Sequence, residues 1–232
     1  MSKTAVVLLS GGIDSATCLG IAKDQGFDIV AISFDYNQRH KVELEAAKLI
    51  LQHYGITKHY IFNIGLFQKI GGSALTDTAV PVPQSLHVSD IGEDIPVTYV
   101  PARNMVFLSY ALGVAEQNGA DDIFIGVNAL DYSGYPDCRP EFIESFAKTA
   151  NLAIKSGVQG SQIQIHTPLI KLTKSEIISR GNSLGVPYHL THSCYSPTEE
   201  GLACRHCDAC LLRRQGFEDA GLVDPTRYHH AA

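Results

Sequence analysis

Long apolar runs are missing from this chain of 232 residues. None approaches the ~20 residues that a membrane-spanning helix needs. The apolar stretch nearest the start, Ala5 to Leu9, follows Lys3-Thr4 and meets Ser10-Gly11-Gly12 too soon to be the core of a secretion signal. An excess of positive charge is also lacking. Eighteen basic side chains against twenty-four acidic ones leave a formal net charge of -6. That argues against a bulk basic field for wrapping nucleic acid, while leaving room for a local patch. There is no internal repeat and no low-complexity tract, so solenoid and linker architectures are out. The cysteines are not spread along the chain as in a secreted disulfide scaffold. What remains is a soluble, cytoplasmic chain whose length suits one large domain with a sizeable core.

Apolar runs alternate with helical periodicity, the mark of a doubly wound α/β fold on a parallel sheet. Strands are expected at Thr4–Leu9, Asp28–Phe34, Tyr60–Ile64, Asp122–Val127 and Ile163–Ile165. Helices are expected at Ile13–Gln25, at Asn104–Gln117 and at Glu141–Lys155, the last with Pro140 in its first turn. Val42, Ala46, Leu49, Ile50 and His53 would share one face of a further helix. Thr173-Lys174-Ser175-Glu176 has the pattern of a capping box, opening a helix that stops near Gly185 and Pro187. Leu66 to Val100, with Pro81, Pro83, Gly92 and Pro96, has no clear period and is too long for an ordinary connection. It reads as a lid, an excursion or a disordered flap. The expected division is a catalytic domain over 1–187 and a metal-bearing segment over 188–232.

Ser10-Gly11-Gly12-Ile13-Asp14-Ser15 lie where the first strand ends and the first helix begins. Two glycines let the backbone turn sharply and approach a ligand. The free N–H groups and positive end of the following helix favour an anion. Ser10 and Ser15 add hydroxyls, and Asp14 would hold the loop or help position Mg2+. The loop is neither GxGxxG nor GxxxxGK[ST], since no lysine is present to grip a γ-phosphate.

Cys194, Cys204, Cys207 and Cys210 fall within one short stretch, enough thiolates for a closed, structural zinc site. An iron–sulfur cluster is the chemical alternative. Such a metal would staple a tail with little core of its own. His192 and His206 are surplus to that set, and Cys18 and Cys138 stand apart from it.

The loop resembles the SGGxDS element of the PP-loop pyrophosphatase superfamily, which holds ATP by its β- and γ-phosphates. That resemblance implies a Rossmann-like sheet of order 3-2-1-4-5 with the ligand at the switch point. Further blocks make the chain similar to the 7-cyano-7-deazaguanine synthase family. They are Phe34-Asp35-Tyr36-Asn37-Gln38-Arg39-His40, Val100-Pro101-Ala102-Arg103-Asn104, Gly126-Val127, Asp131 to Arg139, Thr167-Pro168-Leu169 and the cysteine tail. Asn37 and Ala102 stand where that family's pattern has glycine.

The resemblance implies an ATP-dependent ligase that joins ammonia to 7-carboxy-7-deazaguanine through adenylated intermediates in queuosine biosynthesis. ATP with Mg2+ would meet Leu8, Leu9, Ser10, Gly11, Gly12, Ile13, Asp14, Ser15, Ala16, Thr17 and Cys18. Substrate contacts would come from Gln38, Arg39, His40, Arg103, Asn104, Asp131, Ser133, Tyr135 and Asp137. Arg103, Asp131 and Lys171 are the candidates for catalysis, Lys171 or Lys174 would steady phosphate with a solvated helix start the favoured reading of Lys174, and Tyr132 or Tyr135 would stack on the heterocycle. Free ammonia is the simplest nitrogen source, and the resemblance implies a homodimer without a nucleic-acid partner. The rivals are a PP-loop enzyme that modifies tRNA, for which Arg205, Arg213 and Arg214 supply a modest basic cluster, and a non-catalytic nucleotide sensor.

Overall fold

The computed structural model describes residues 2–38, 41–92, 94–130 and 135–229. In chain order the elements are β1 (Thr4–Leu8), α1 (Ile13–Asp24), β2 (Asp28–Asp35), α2 (Val42–His53), β3 (His59–Asn63), α3 (Leu66–Ile70) and α4 (Arg103–Asn118). Then come β4 (Asp122–Phe124), α5 (Pro140–Ala153), α6 (Lys155–Val158), β5 (Gln164–His166), α7 (Lys174–Ser183) and α8 (Asp208–Asp219). Among the described residues the strands form one parallel sheet of order β3-β2-β1-β4-β5. This is the expected order, and it puts the switch point at the end of β1.

Strand alternation divides the core. Val6 and Leu8 of β1, with Val30, Ile32 and Phe34 of β2, face Leu108, Ala111 and Ala115 of α4 and Ile143 of α5. Ala5, Val7, Ile29 and Ala31 point the other way, against Leu19 of α1, Ile50 of α2, Ile177 of α7 and Phe217 of α8. Both faces of the sheet are therefore covered, as parallel strands require. Phe217 lies in the cysteine-bearing tail, so α8 shares the core of the main fold.

The expected capping box opens α7. Glu176 N–H donates to Thr173 Oγ1 at 3.3 Å, and Thr173 N–H donates to Glu176 Oε2 at 2.8 Å. Two expectations need correction. The fourth strand stops at Phe124 rather than Val127, because Gly126 leaves the ladder to pass the loop after β1. A side chain there would come within 2.9 Å of the Asp14 carbonyl. On α2 the buried stripe is Leu44, Ala46, Ala47, Ile50 and Leu51, while Leu49 is 46% exposed and His53 is also exposed. The helix is rotated so that its alanines meet the loop: a Cβ on Gly11 would lie 3.0 Å from Ala47 N and 3.1 Å from Ala46 Cβ.

Of the readings open for Leu66 to Val100, the described residues show an excursion packed on the rest of the fold. Ala74 N–H donates to Val97 O at 2.9 Å across its neck, and Phe67, Leu75, Thr98 and Val100 are buried. At its far end Ser85 N–H donates to His206 O at 2.9 Å, and Val82 packs on the cysteine cluster.

Both positions where the family pattern has glycine adopt the left-handed conformation, with φ 57 at Asn37 and φ 57 at Ala102. Asparagine tolerates this region; alanine pays for its Cβ. Ala102→Gly is expected to stabilise the protein by about 0.5–1 kcal/mol and raise Tm by roughly 1–4 °C. Thermal unfolding checks this, and a lower Tm would contradict it.

Candidate active site

The loop between β1 and α1 is tied by its own hydroxyls. Ser15 Oγ accepts from Ser10 N–H and Gly11 N–H, each at 3.2 Å, and donates to Gly12 O at 3.1 Å. The two serine hydroxyls are 3.0 Å apart. Gly11, at φ +94, could not carry a side chain without striking the Glu43 carbonyl. Gly12 caps α1 in extended conformation with no side-chain cap, so the first turn still offers its N–H groups to an anion.

Asp14 has a partner from the far end of the chain. Lys174 Nζ donates to its two carboxylate oxygens at 2.7 and 2.9 Å. The Lys174 side chain is only 11% exposed. A PP-loop sequence without its own lysine thus acquires one from the start of α7, through tertiary structure.

Across the cavity stand Arg103 and Asn104 of α4. Asp137 Oδ2 accepts from Asn104 N–H at 2.8 Å, which fixes the helix start. Arg103 lies over the Tyr135 ring, 6.0 Å from its centroid. Burial opposes its charge, but Tyr36, Tyr135, Asp137 and Tyr195 more than offset this and hold it protonated. Phe34 and Phe107 stack at 3.9 Å between centroids and line the apolar part of the same cavity.

Glu43, in the first turn of α2, also lines this cavity. Burial pushes its carboxyl up to about 7 from the ordinary 4.5, with Arg103 pulling the other way. Since the folded state holds this proton more tightly than the unfolded chain, the contribution to stability is complete below pH 4.5 and is lost as pH rises through about 7. Relative to Glu43→Gln, the wild-type protein should therefore lose unfolding free energy between pH 5 and pH 8. Paired denaturant titrations test this; parallel curves would refute it.

The cysteine-rich tail completes the wall with His192, Ser193, Cys194, Tyr195, Ala209, Leu212 and Arg213. His192 N–H donates to Gly11 O at 2.9 Å, which joins tail to loop directly. The Sγ atoms of Cys194, Cys204, Cys207 and Cys210 all lie within 4.8 Å of one another. Cys204 to Cys210 and Cys194 to Cys207 are each 4.0 Å apart. A tetrahedron with ~2.3 Å metal–sulfur bonds has edges of about 3.8 Å, so the donors fit a single ion. An iron–sulfur cluster would spread the thiolates over several irons and hold them further apart. Backbone N–H groups of Tyr195, Ser196, Cys204 and Cys207 point at these sulfurs, as thiolates require.

The description "Queuosine biosynthesis protein QueC" matches residues 4–221. The chain belongs to this family. The 7-cyano-7-deazaguanine synthase of Geobacter sp. (strain M21) is 60% identical over 228 residues, covering 98% of this chain and 99% of that protein. The enzyme of the same description from Methylococcus capsulatus is 61% identical over 226 residues, covering 97% and 99%. Among solved structures, the NMN synthetase of Francisella tularensis has a TM-score of 0.50 at 18% identity, covering 96% of this chain and 79% of that one. That likeness concerns the fold alone.

Within this family member, Leu8, Leu9, Ser10, Gly12, Ile13, Asp14, Ser15, Gln38, Arg103, Asn104 and Tyr135 line one cavity. Gly11 instead supplies the turn. Ala16, Thr17 and Cys18 face the core: they are fully buried, and Thr17 Oγ1 lies 2.8 Å from Tyr188 Oη. Asp137 caps α4 and does not line the cavity. Lys171 is exposed and outside it, while Lys174 is the lysine that enters. Cys138 lines the cavity, but burial pushes its thiol up to about 12, which makes it a poor nucleophile. Arg39, His40, Asp131, Tyr132 and Ser133 lie outside the described residues. Of the basic cluster, Arg213 is 2% exposed and bonds Asp224, Thr191 and Tyr188 inside the protein.

The signal for Glu43 was partial, since its spacing fits one of two stripes that the sequence of α2 allows. It falls four residues before Ala47 and seven before Ile50, at the head of the buried stripe of α2. Tyr195 and His192 carried no such signal, since only the path of the tail brings them here.

Proposed function

We propose that this chain converts 7-carboxy-7-deazaguanine and ammonia into 7-cyano-7-deazaguanine, using ATP and releasing AMP and pyrophosphate. The observation that carries the reading is a glycine loop at a helix start, with a half-buried lysine and Arg103 lining the same cavity. It occurs in a chain about 60% identical, nearly end to end, to synthases of that description. The loop N–H groups and the start of α1 hold the β- and γ-phosphates, and Lys174 balances their charge. When bound, Mg2+ would supply further neutralisation of the phosphates.

The substrate carboxylate is a poor electrophile. Arg103 orients it by a charge-assisted pair, and its oxygen attacks the α-phosphorus, displacing pyrophosphate. Ammonia then displaces AMP to give the amide. A second ATP activates the amide oxygen, and loss of the second AMP leaves the nitrile. Tyr135, held by Thr98 at 2.8 Å, offers a ring for the heterocycle. The four cysteines hold zinc as a structural ion, and the chain acts as a cytoplasmic homodimer without a nucleic-acid partner. With Arg213 committed to internal bonds, little of the basic cluster remains for an RNA.

The test is a mass-spectrometric endpoint assay with ATP, magnesium, ammonium and the carboxylic acid, alongside elemental analysis and sedimentation. Nitrile, AMP and pyrophosphate are expected, with one zinc per chain and a dimer mass. Pyrophosphate without nitrile would remove the second activation. Stoichiometric iron would replace zinc, and no turnover by folded, metal-loaded protein would overturn the reading.

A further inference from the structure

We propose that Glu43 is the general base that takes the proton from the incoming nitrogen. The proposal rests on the ligase reading above. Glu43 is fixed by backbone packing, since the first turn of α2 lies so close to Gly11 that its carbonyl excludes any side chain there. Its side chain lines the cavity beside the phosphate loop. The reacting carbon must sit between the loop, which holds the adenylate, and Arg103, which holds the carboxylate. Glu43 lines the cavity that these two share, near enough to Arg103 for the two charges to interact.

The groups around it set its charge. Arg103 of α4 favours the carboxylate, while Tyr36 at the end of β2 is a neutral phenol, raised to about 12 mainly by burial. Asp14 and Lys174 line the same cavity and are paired with each other. A surface Glu–Arg pair would keep its carboxyl well acidic. Here burial wins, and the carboxyl titrates at about 7, near working pH, where a base can both take and release a proton.

The proton balance is direct. As ammonia attacks the acyl-adenylate, the C–N bond forms and nitrogen carries one proton too many. Glu43 takes it, the C–O bond to AMP breaks, and the amide remains. In the second half activation of the amide oxygen leaves an O-adenylated, protonated imidate, which releases one N–H proton to solvent; Glu43 takes the last N–H proton as the C–O bond to AMP breaks and the nitrile forms. Each time Glu43 returns its proton to solvent.

Glu43→Gln keeps the shape and the carbonyl packed on Gly11. Exchange of labelled pyrophosphate into ATP, driven by the carboxylic acid without ammonium, reads adenylation alone. The variant should exchange within about threefold of wild type, yet form amide roughly 10²–10⁴-fold more slowly. At saturating ammonium, the wild-type rise of kcat through pH 7 should be absent in the variant. Equal loss of exchange and amide formation would make Glu43 a positioning residue and overturn the proposal, as would no loss of either. Absence of acid-dependent exchange in the wild type would instead overturn the ligase reading, and this proposal with it.

Discussion

Lys174→Met is expected to slow pyrophosphate release by about 10²–10³, or roughly 2.7–4 kcal/mol of transition-state stabilisation. The cation is built into the site with unusual support. Its Nζ touches both oxygens of Asp14 at 2.7 and 2.9 Å. Its stem packs where a Cβ on Gly216 of α8 would come within 2.4 Å of Lys174 Cγ. Removing the ammonium leaves the Asp14 carboxylate alone beside the phosphates, so the variant loses an attraction and acquires a repulsion. Asp14→Asn should hurt less than Lys174→Met, and the double variant should recover part of the loss. A double-mutant cycle on steady-state pyrophosphate release measures this. Additive losses would show that the pair does not act as a unit.

The same lysine shows what local sequence can and cannot disclose. The loop after β1 and the capping box of α7 were legible, because each depends on a short segment, whereas the sheet order came only from what the loop resembles. Lys174 was read as a solvated helix start because nothing near it in sequence announces Asp14, 160 residues away. Glu43 was hidden by a wrong face. The stripe through Leu49 and His53 fits helical spacing equally well, and only contact with Gly11 selects the stripe through Ala47. For Asp137 substrate contact and capping were equally open, and only tertiary structure shows its carboxylate at the start of α4, a helix far from it in sequence. The long segment after β3 lacked periodicity because its order comes from Ser85 and Val82 resting on the cysteine tail.

Stripping the metal, or replacing Cys204 by Ser, should therefore do more than loosen a tail. Without an ion, four sulfurs within 4.8 Å of one another must take up protons or move apart. Structural zinc in an isolated finger contributes ~10–16 kcal/mol, but here α8 keeps Phe217 in the main core. The expected loss is smaller, of order 4–5 kcal/mol, with a drop in Tm of roughly 8–20 °C. Three consequences should appear together. His192 and Tyr195 would leave the cavity wall, so pyrophosphate release should fall at least tenfold. Ser85 would lose the carbonyl of His206, so cleavage by a protease within 78–92 should accelerate. Readdition of zinc should restore both in the wild type and in neither respect rescue Cys204→Ser. If verified metal-free protein kept its activity and its protease resistance, the tail would be a bystander, and the cavity wall would have to be held by the contacts of Arg213 and Phe217 alone.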